Sequence, residues 1–150
     1  RGCGYMGLKR THTMEDVKRI MRELDKKTGK SYAKLPMKSN KRMTRALAQS
    51  VFCISRRNGK IVKVEADSFK FSYFFLNAML TDKDFSDIVI HEYSHLYANE
   101  KYTDNCYHDK RYKDTCKELG IPNMGGCYCE DEIGDEIDEA IRLYKLGILK

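Results

Sequence analysis

Apolar residues first settle into a clear period in "THTMEDVKRIMRELDKKTGK", residues 11–30. Met14, Val17, Ile20, Met21 and Leu24 share one face at helical spacing, with charged residues between them. Thr13 stands where a cap belongs, Asp16 occupies the capping-box position, and Gly29 supplies the stop. The pattern predicts an amphipathic helix. Residues 1–12 ahead of it read as a flexible leader, and 13–150 as the folded domain. The "TGKS" that follows resembles the end of a phosphate-binding loop, but GxxxxGK[ST] requires Gly where Leu24 stands inside the helix.

From Ser31 to Phe71 the periodicity changes to short runs separated by polar and turn residues. "RALAQSVFCIS" and "KIVKVEADSFKF" flank "RRNGK", whose Asn58-Gly59 pair is a strong hairpin signal. This segment predicts an antiparallel sheet of three or four strands. "SYFFLNAML" reads as a short buried helix opened by Ser72, and "DFSDIVIHEYSHLYANE" as the next helix, with Thr81 or Asp84 near its start. "KRYKDTCKELG" adds a helical turn or two ending at Gly120. The tail "EDEIGDEIDEAIRLYKLGILK" places acids first and bases last, the order a helix dipole favours. Its Ile133, Ile137, Ala140, Ile141 and Tyr144 share a face, so it predicts a helix packed on the body.

A length of 150 residues, with 41% hydrophobic and 33% charged residues, suits one globular domain with its own core. The longest apolar stretch, "FSYFFLNAML", is far shorter than the roughly 20 residues of a membrane helix. No secretory h-region is visible, and a cytoplasmic protein without membrane contact is expected. In that setting the six cysteines read as reduced thiols, and the single CxC of Cys127 and Cys129 lacks the paired knuckles of a zinc ribbon. The net charge of +6 is uneven: residues 1–50 carry +10 and residues 130–150 carry −4. A basic first third can track phosphates, so DNA is a candidate partner.

Chemistry concentrates in "HEYSHLYANEKYTDNCYHDKRYKD", residues 91–114. On a helix His91 and His95 project from one face a turn apart and can grip one ion. Glu92, rotated about 100° from His91, misses the metal and reaches a zinc-bound water as general base. Three of the chain's four histidines fall between 91 and 108. A catalytic zinc needs a third protein ligand. The metzincin pattern HExxHxxGxxH fails because Ala98 and Lys101 occupy its Gly and His positions. Glu118 and Glu130 are carboxylate candidates, and His108 is preferred because imidazole suits zinc. Asp87, Asp104 and Asp109 are candidates to orient a ligand imidazole from behind. Tyr93, Tyr97, Tyr102 and Tyr107 are assigned no role.

HExxH followed after twelve residues by His108 and "DKRYK" resembles the SprT-like zinc metallopeptidases, which include the Spartan proteases and carry HExxH and then HGxxF or HGxxW. His91, Glu92, His95 and His108 match that motif, with Tyr112 at the aromatic position, and the order of elements is similar over residues 13–122. Two departures are Asp109 in place of the family Gly and the lack of a recognisable terminal zinc ribbon. The resemblance implies an α+β zincin-like domain holding one zinc ion on His91, His95 and His108. It further implies that Glu92 drives peptide-bond hydrolysis, that an extended protein or peptide substrate aligns along a sheet edge, and that substrates include proteins on DNA. Two rivals stand beside it. An ImmA/IrrE-type regulatory protease would complete the zinc with a later acid, and a zinc-stabilised binding module would dock on nucleic acid or protein without cleaving it.

Overall fold

A computed structural model describes residues 7–121 and 133–149, and within them the chain is a small α+β domain. Its elements are β1 (Lys9–Arg10), α1 (Met14–Thr28), a 3-10 turn (Tyr32–Lys34), β2 (Met37–Asn40), β3 (Ala48–Arg57), β4 (Lys60–Ser72), α2 (Tyr73–Leu76), β5 (Leu80–Thr81), α3 (Asp82–Tyr102), α4 (Lys110–Leu119) and α5 (Gly134–Lys145).

Local chemistry sets most boundaries. Thr13 and Asp16 form the reciprocal capping box of α1, and Gly29 closes the helix at φ 78°, a left-handed conformation that costs glycine nothing. Val17, Met21 and Leu24 are the residues that this helix buries. The packed chain begins before the boundary expected at Thr13. Lys9 and Arg10 pair antiparallel with Thr81 and Leu80, and His12 stacks on Phe85 with centroids 4.0 Å apart.

The central sheet has three strands in the order β2-β4-β3. β3 and β4 form the antiparallel hairpin that Asn58-Gly59 signals, with φ 53° and 79° at those residues. β2, however, pairs with β4 in parallel, so the sheet is mixed rather than antiparallel. The chain crosses from β2 past β4's position to build β3 on the far side, and the returning β4 then fills the gap in β2's own direction. A second departure from simple alternation lies within β4. Val64 and Ala66 face the same side as Phe69 and Phe71 because the register slips between the Phe52–Ala66 and Val51–Ser68 pairs, leaving Asp67 as an extra residue. The bulge resets the phase and keeps all four apolar side chains on the core face.

"SYFFLNAML" is helical only over Tyr73–Leu76. Asn77 ends it, its Nδ2 donating to the Tyr73 carbonyl at 2.9 Å, and Leu80 then enters the short pairing with β1. Thr81, rather than Asp84, caps α3 by accepting the Asp84 amide. α3 runs 21 residues and is the hub of the fold, buried on nearly every side between α1, the sheet and α4. Its embedded faces explain why it shows no amphipathic stripe. Two partly buried networks clamp α1 and the following turn to it. The Tyr93 hydroxyl donates to Asp25 at 2.6 Å and contacts Thr28 Oγ1 at 2.7 Å, while Tyr32 donates to Glu100, which also accepts the Ala66 amide at 2.8 Å and pairs with Lys30. Ile133, Ile137 and Ala140 of the tail are buried, Tyr144 packs edge-on against Tyr73 and Phe74, and α5 thus covers α2 as its pattern predicts. Among the described residues no helix is long and apolar enough to cross a membrane.

Candidate metal centre

His91, Glu92 and His95 occupy the middle of α3, the most deeply packed helix of the domain. Their backbone is fixed by Ile88, Val89, Leu96 and Ala98, each at most 2% exposed, so the helix cannot tilt without opening the core. Burial has an electrostatic consequence. It pushes the His91 imidazole down to about 4 and His95 down to about 3, with His108 adding a second, repulsive contribution to each. Both rings are therefore neutral at pH 7, the form in which imidazole offers a lone pair to a metal.

His108 arrives on the loop between α3 and α4, and the structure shows how that loop is held. Thr103 ends α3 in the left-handed region at φ 51°, and the chain folds back so that buried Asn99 accepts the Cys106 amide through Oδ1 at 2.8 Å. Asn105 Oδ1 accepts the Tyr107 amide at 3.2 Å, and Tyr107 itself adopts φ 51° immediately before His108. Asp109 then caps α4, accepting the amides of Arg111 and Tyr112 at 2.9 and 3.2 Å. This accounts for the acid at the position where the resemblance has glycine: it starts the helix that carries Tyr112.

The three histidines surround one ring. Tyr112, fully buried, stacks on His95 with centroids 4.2 Å apart and planes at 17°, and meets His108 edge-on at 5.1 Å. His95 and His108 lie 4.9 Å apart, centroid to centroid. The Tyr112 hydroxyl sits 2.7 Å from His91 Nδ1, while His91 Nε2 is buried with no hydrogen-bond partner among the described residues. The side chains are neighbours rather than a closed cage: among the described residues no three His, Cys, Asp or Glu side chains converge in metal-binding geometry. The donor set nevertheless fits a zinc ion by type, being three imidazoles, two of them held neutral, with one buried nitrogen left unpaired.

Glu92 lies at the floor of an open cleft of about 300 Å³. Ala48, Ser50 and Phe52 of β3 form one wall, and Asn105, Tyr107 and His108 form the other. Because β3 is an edge strand, one wall of this cleft is a strand with a single neighbour in the sheet. Ser50 Oγ lies 2.9 Å from Glu92 Oε1 and 3.0 Å from the Glu92 carbonyl, and its one hydrogen serves one of them at a time.

Several sequence candidates lie elsewhere. Glu118 is on the exposed side of α4, 3.8 Å from Lys101, and Glu130, Cys127 and Cys129 lie outside the described residues. Asp104 and Asp109 both bind Arg111, and Asp87 pairs with Lys83 at 2.8 Å. Ser50, Asn99 and the Tyr112 hydroxyl are the site's supporting groups that sequence reasoning missed. Tyr112 stood out in the sequence for its aromatic ring, but nothing there pointed to its hydroxyl, to Ser50 or to Asn99. Cys106 and Cys116 are buried thiols in the small apolar cluster with Ala98, Tyr112 and Ile121. Of the basic first third, Arg10, Arg19, Arg22, Lys26 and Lys30 are engaged in ion pairs, whereas Lys34, Lys38, Arg42 and Arg45 are exposed and form none among the described residues. No model of a known family, curated protein or solved structure matches the chain.

Proposed function

We propose that this chain is a zinc-dependent peptidase of zincin-like architecture, with His91, His95 and His108 as metal ligands and Glu92 as general base. The observation that carries the reading is the grouping of these three imidazoles around Tyr112, with Glu92 beside them on the floor of a cleft walled by an edge strand. When bound, zinc supplies Lewis-acid polarisation of a carbonyl and acidifies a water molecule. The protein's own contribution follows from position. Glu92 takes a proton from the attacking water and hands it to the leaving amine, and Ser50 keeps its carboxylate aimed. The unpaired side of β3 offers backbone groups to an extended substrate, which favours peptide over compact ligands.

For a carboxylate-completed site, Glu118 is poorly placed, because it faces solvent and Lys101. A binding module without catalysis has no use for the carboxylate of Glu92 held in the open cleft. Proteins on DNA are the substrate class that the SprT-like resemblance adds, and Lys34, Lys38, Arg42 and Arg45 are the exposed residues suited to track phosphates. The test is cleavage of an unstructured protein such as casein by the zinc-loaded chain. Glu92→Gln is expected to keep the metal and lose at least about a hundredfold in rate, the scale of a lost general base. Equal cleavage by the variant, or no cleavage by either in the presence of zinc, with and without DNA, refutes the reading.

A further inference from the structure

We infer that the Tyr112 hydroxyl is a positioning group that sets the tautomer of His91, accepting its Nδ1–H and so leaving Nε2 as the nitrogen with the lone pair. The inference rests on the metal-site reading and adds to it the residue that prepares one ligand. A ligand imidazole needs a partner on its second nitrogen to fix both the ring and the tautomer, a task usually given to a carboxylate or a carbonyl. Here the acids near in sequence are all occupied: Asp104 and Asp109 by Arg111, and Asp87 by Lys83.

The geometry gives the task to Tyr112. Its Oη lies 2.7 Å from His91 Nδ1 and donates to the backbone carbonyl of His91 at 3.3 Å. A carbonyl can only accept, so a hydroxyl hydrogen directed there leaves the oxygen lone pairs for Nδ1–H. In the opposite tautomer, Nε2–H would be a buried donor with no acceptor among the described residues. The hydroxyl itself is fixed twice over. The ring is fully buried against His95, and the Tyr112 amide is held by the cap at Asp109, so α4 cannot rotate away without losing its first turn.

Tyr112→Phe removes the hydroxyl and keeps the stacked ring, which separates orientation from packing. The measurement is made on the full chain. Long-range ¹H–¹⁵N correlation of the imidazoles in metal-free protein should show His91 protonated on Nδ1 in the wild type and shifted towards Nε2–H in Tyr112→Phe. Zinc competition against a chromophoric chelator should show affinity reduced about ten- to a hundredfold in the variant, the range seen when such partners are removed. His91 protonated on Nε2 in the wild type overturns the inference without any variant. Weaker zinc binding with an unchanged tautomer assigns the loss to packing and overturns it as well, as does equal zinc affinity. A wild type that binds no zinc defeats the metal reading instead, while the tautomer of His91 still decides the role of Tyr112.

Discussion

Asn99→Ala removes a buried side chain that ties the His108 loop to the helix bearing the other two histidines. Asn99 is 1% exposed, and its Oδ1 is the acceptor for the equally buried Cys106 amide at 2.8 Å. Truncation leaves that amide without its partner, at a cost of about 1–3 kcal/mol for an unsatisfied buried donor. Part of the cost is recovered, because Asn99 Nδ2 has no partner among the described residues and its removal relieves a buried polar group. The expected net destabilisation is therefore roughly 1–2 kcal/mol, read as a lower urea midpoint at unchanged slope. The same energy acts on the metal. If the bond holds Cys106 and Tyr107 so that His108 is presented to the site, its loss makes zinc binding carry the ordering of the loop, weakening affinity by about five- to thirtyfold at 1.4 kcal/mol per decade. Chelator competition on wild type and variant measures this directly. A variant destabilised as predicted but binding zinc as tightly as wild type would refute the reasoning, since it would show the third ligand to be placed by something other than Asn99.

Two further outcomes follow from the site. Ser50→Ala should leave zinc content unchanged and lower the turnover number by roughly ten- to a hundred-and-fiftyfold, since a hydrogen bond to a charged carboxylate is worth about 1.5–3 kcal/mol; an unaffected turnover would show that Glu92 is aimed without Ser50. The metal-free protein should lose stability as pH falls from about 6.5 to about 4. In that window the unfolded chain protonates the two histidines, while burial holds His91 at about 4 and His95 at about 3, so the unfolded state binds more protons and stability declines by roughly 1.4 kcal/mol per pH unit for each histidine. Urea midpoints at intervals between pH 7 and 4.5 give the slope, and His91→Gln should halve it; a flat profile would mean that the rings are solvated.

How far the sequence could be read depended on whether each feature was local. The capping box of Thr13 and Asp16, the Asn58-Gly59 turn, the extent of the buried HExxH helix and the packing face of α5 are each determined within a few residues, and each appears as its pattern predicts. The parallel pairing of β2 with β4 is not local, because nothing in "MKSN" specifies which strand thirty residues away will lie beside it. The slip at Asp67 was present as a change of phase between Ala66 and Phe69, but one extra residue in an alternating run has no distinctive chemistry. The site divides the same way. HExxH announces its helix, whereas the roles of Ser50 and the Tyr112 hydroxyl arise only when β3 and α4 are brought against α3. Asp109, a candidate in the sequence for orienting a ligand imidazole, caps α4 instead, and that role explains the departure from glycine that the motif comparison raised.

The central claim is that His108 completes a zinc site begun by His91 and His95. Elemental analysis of the purified chain after zinc loading and removal of free metal, for wild type, His108→Ala and Glu118→Ala side by side, tests it most directly. The account predicts about one zinc per chain in the wild type and in Glu118→Ala, and little or none in His108→Ala, as a three-ligand site requires. Full retention of zinc by His108→Ala, or its loss in Glu118→Ala alone, would contradict it.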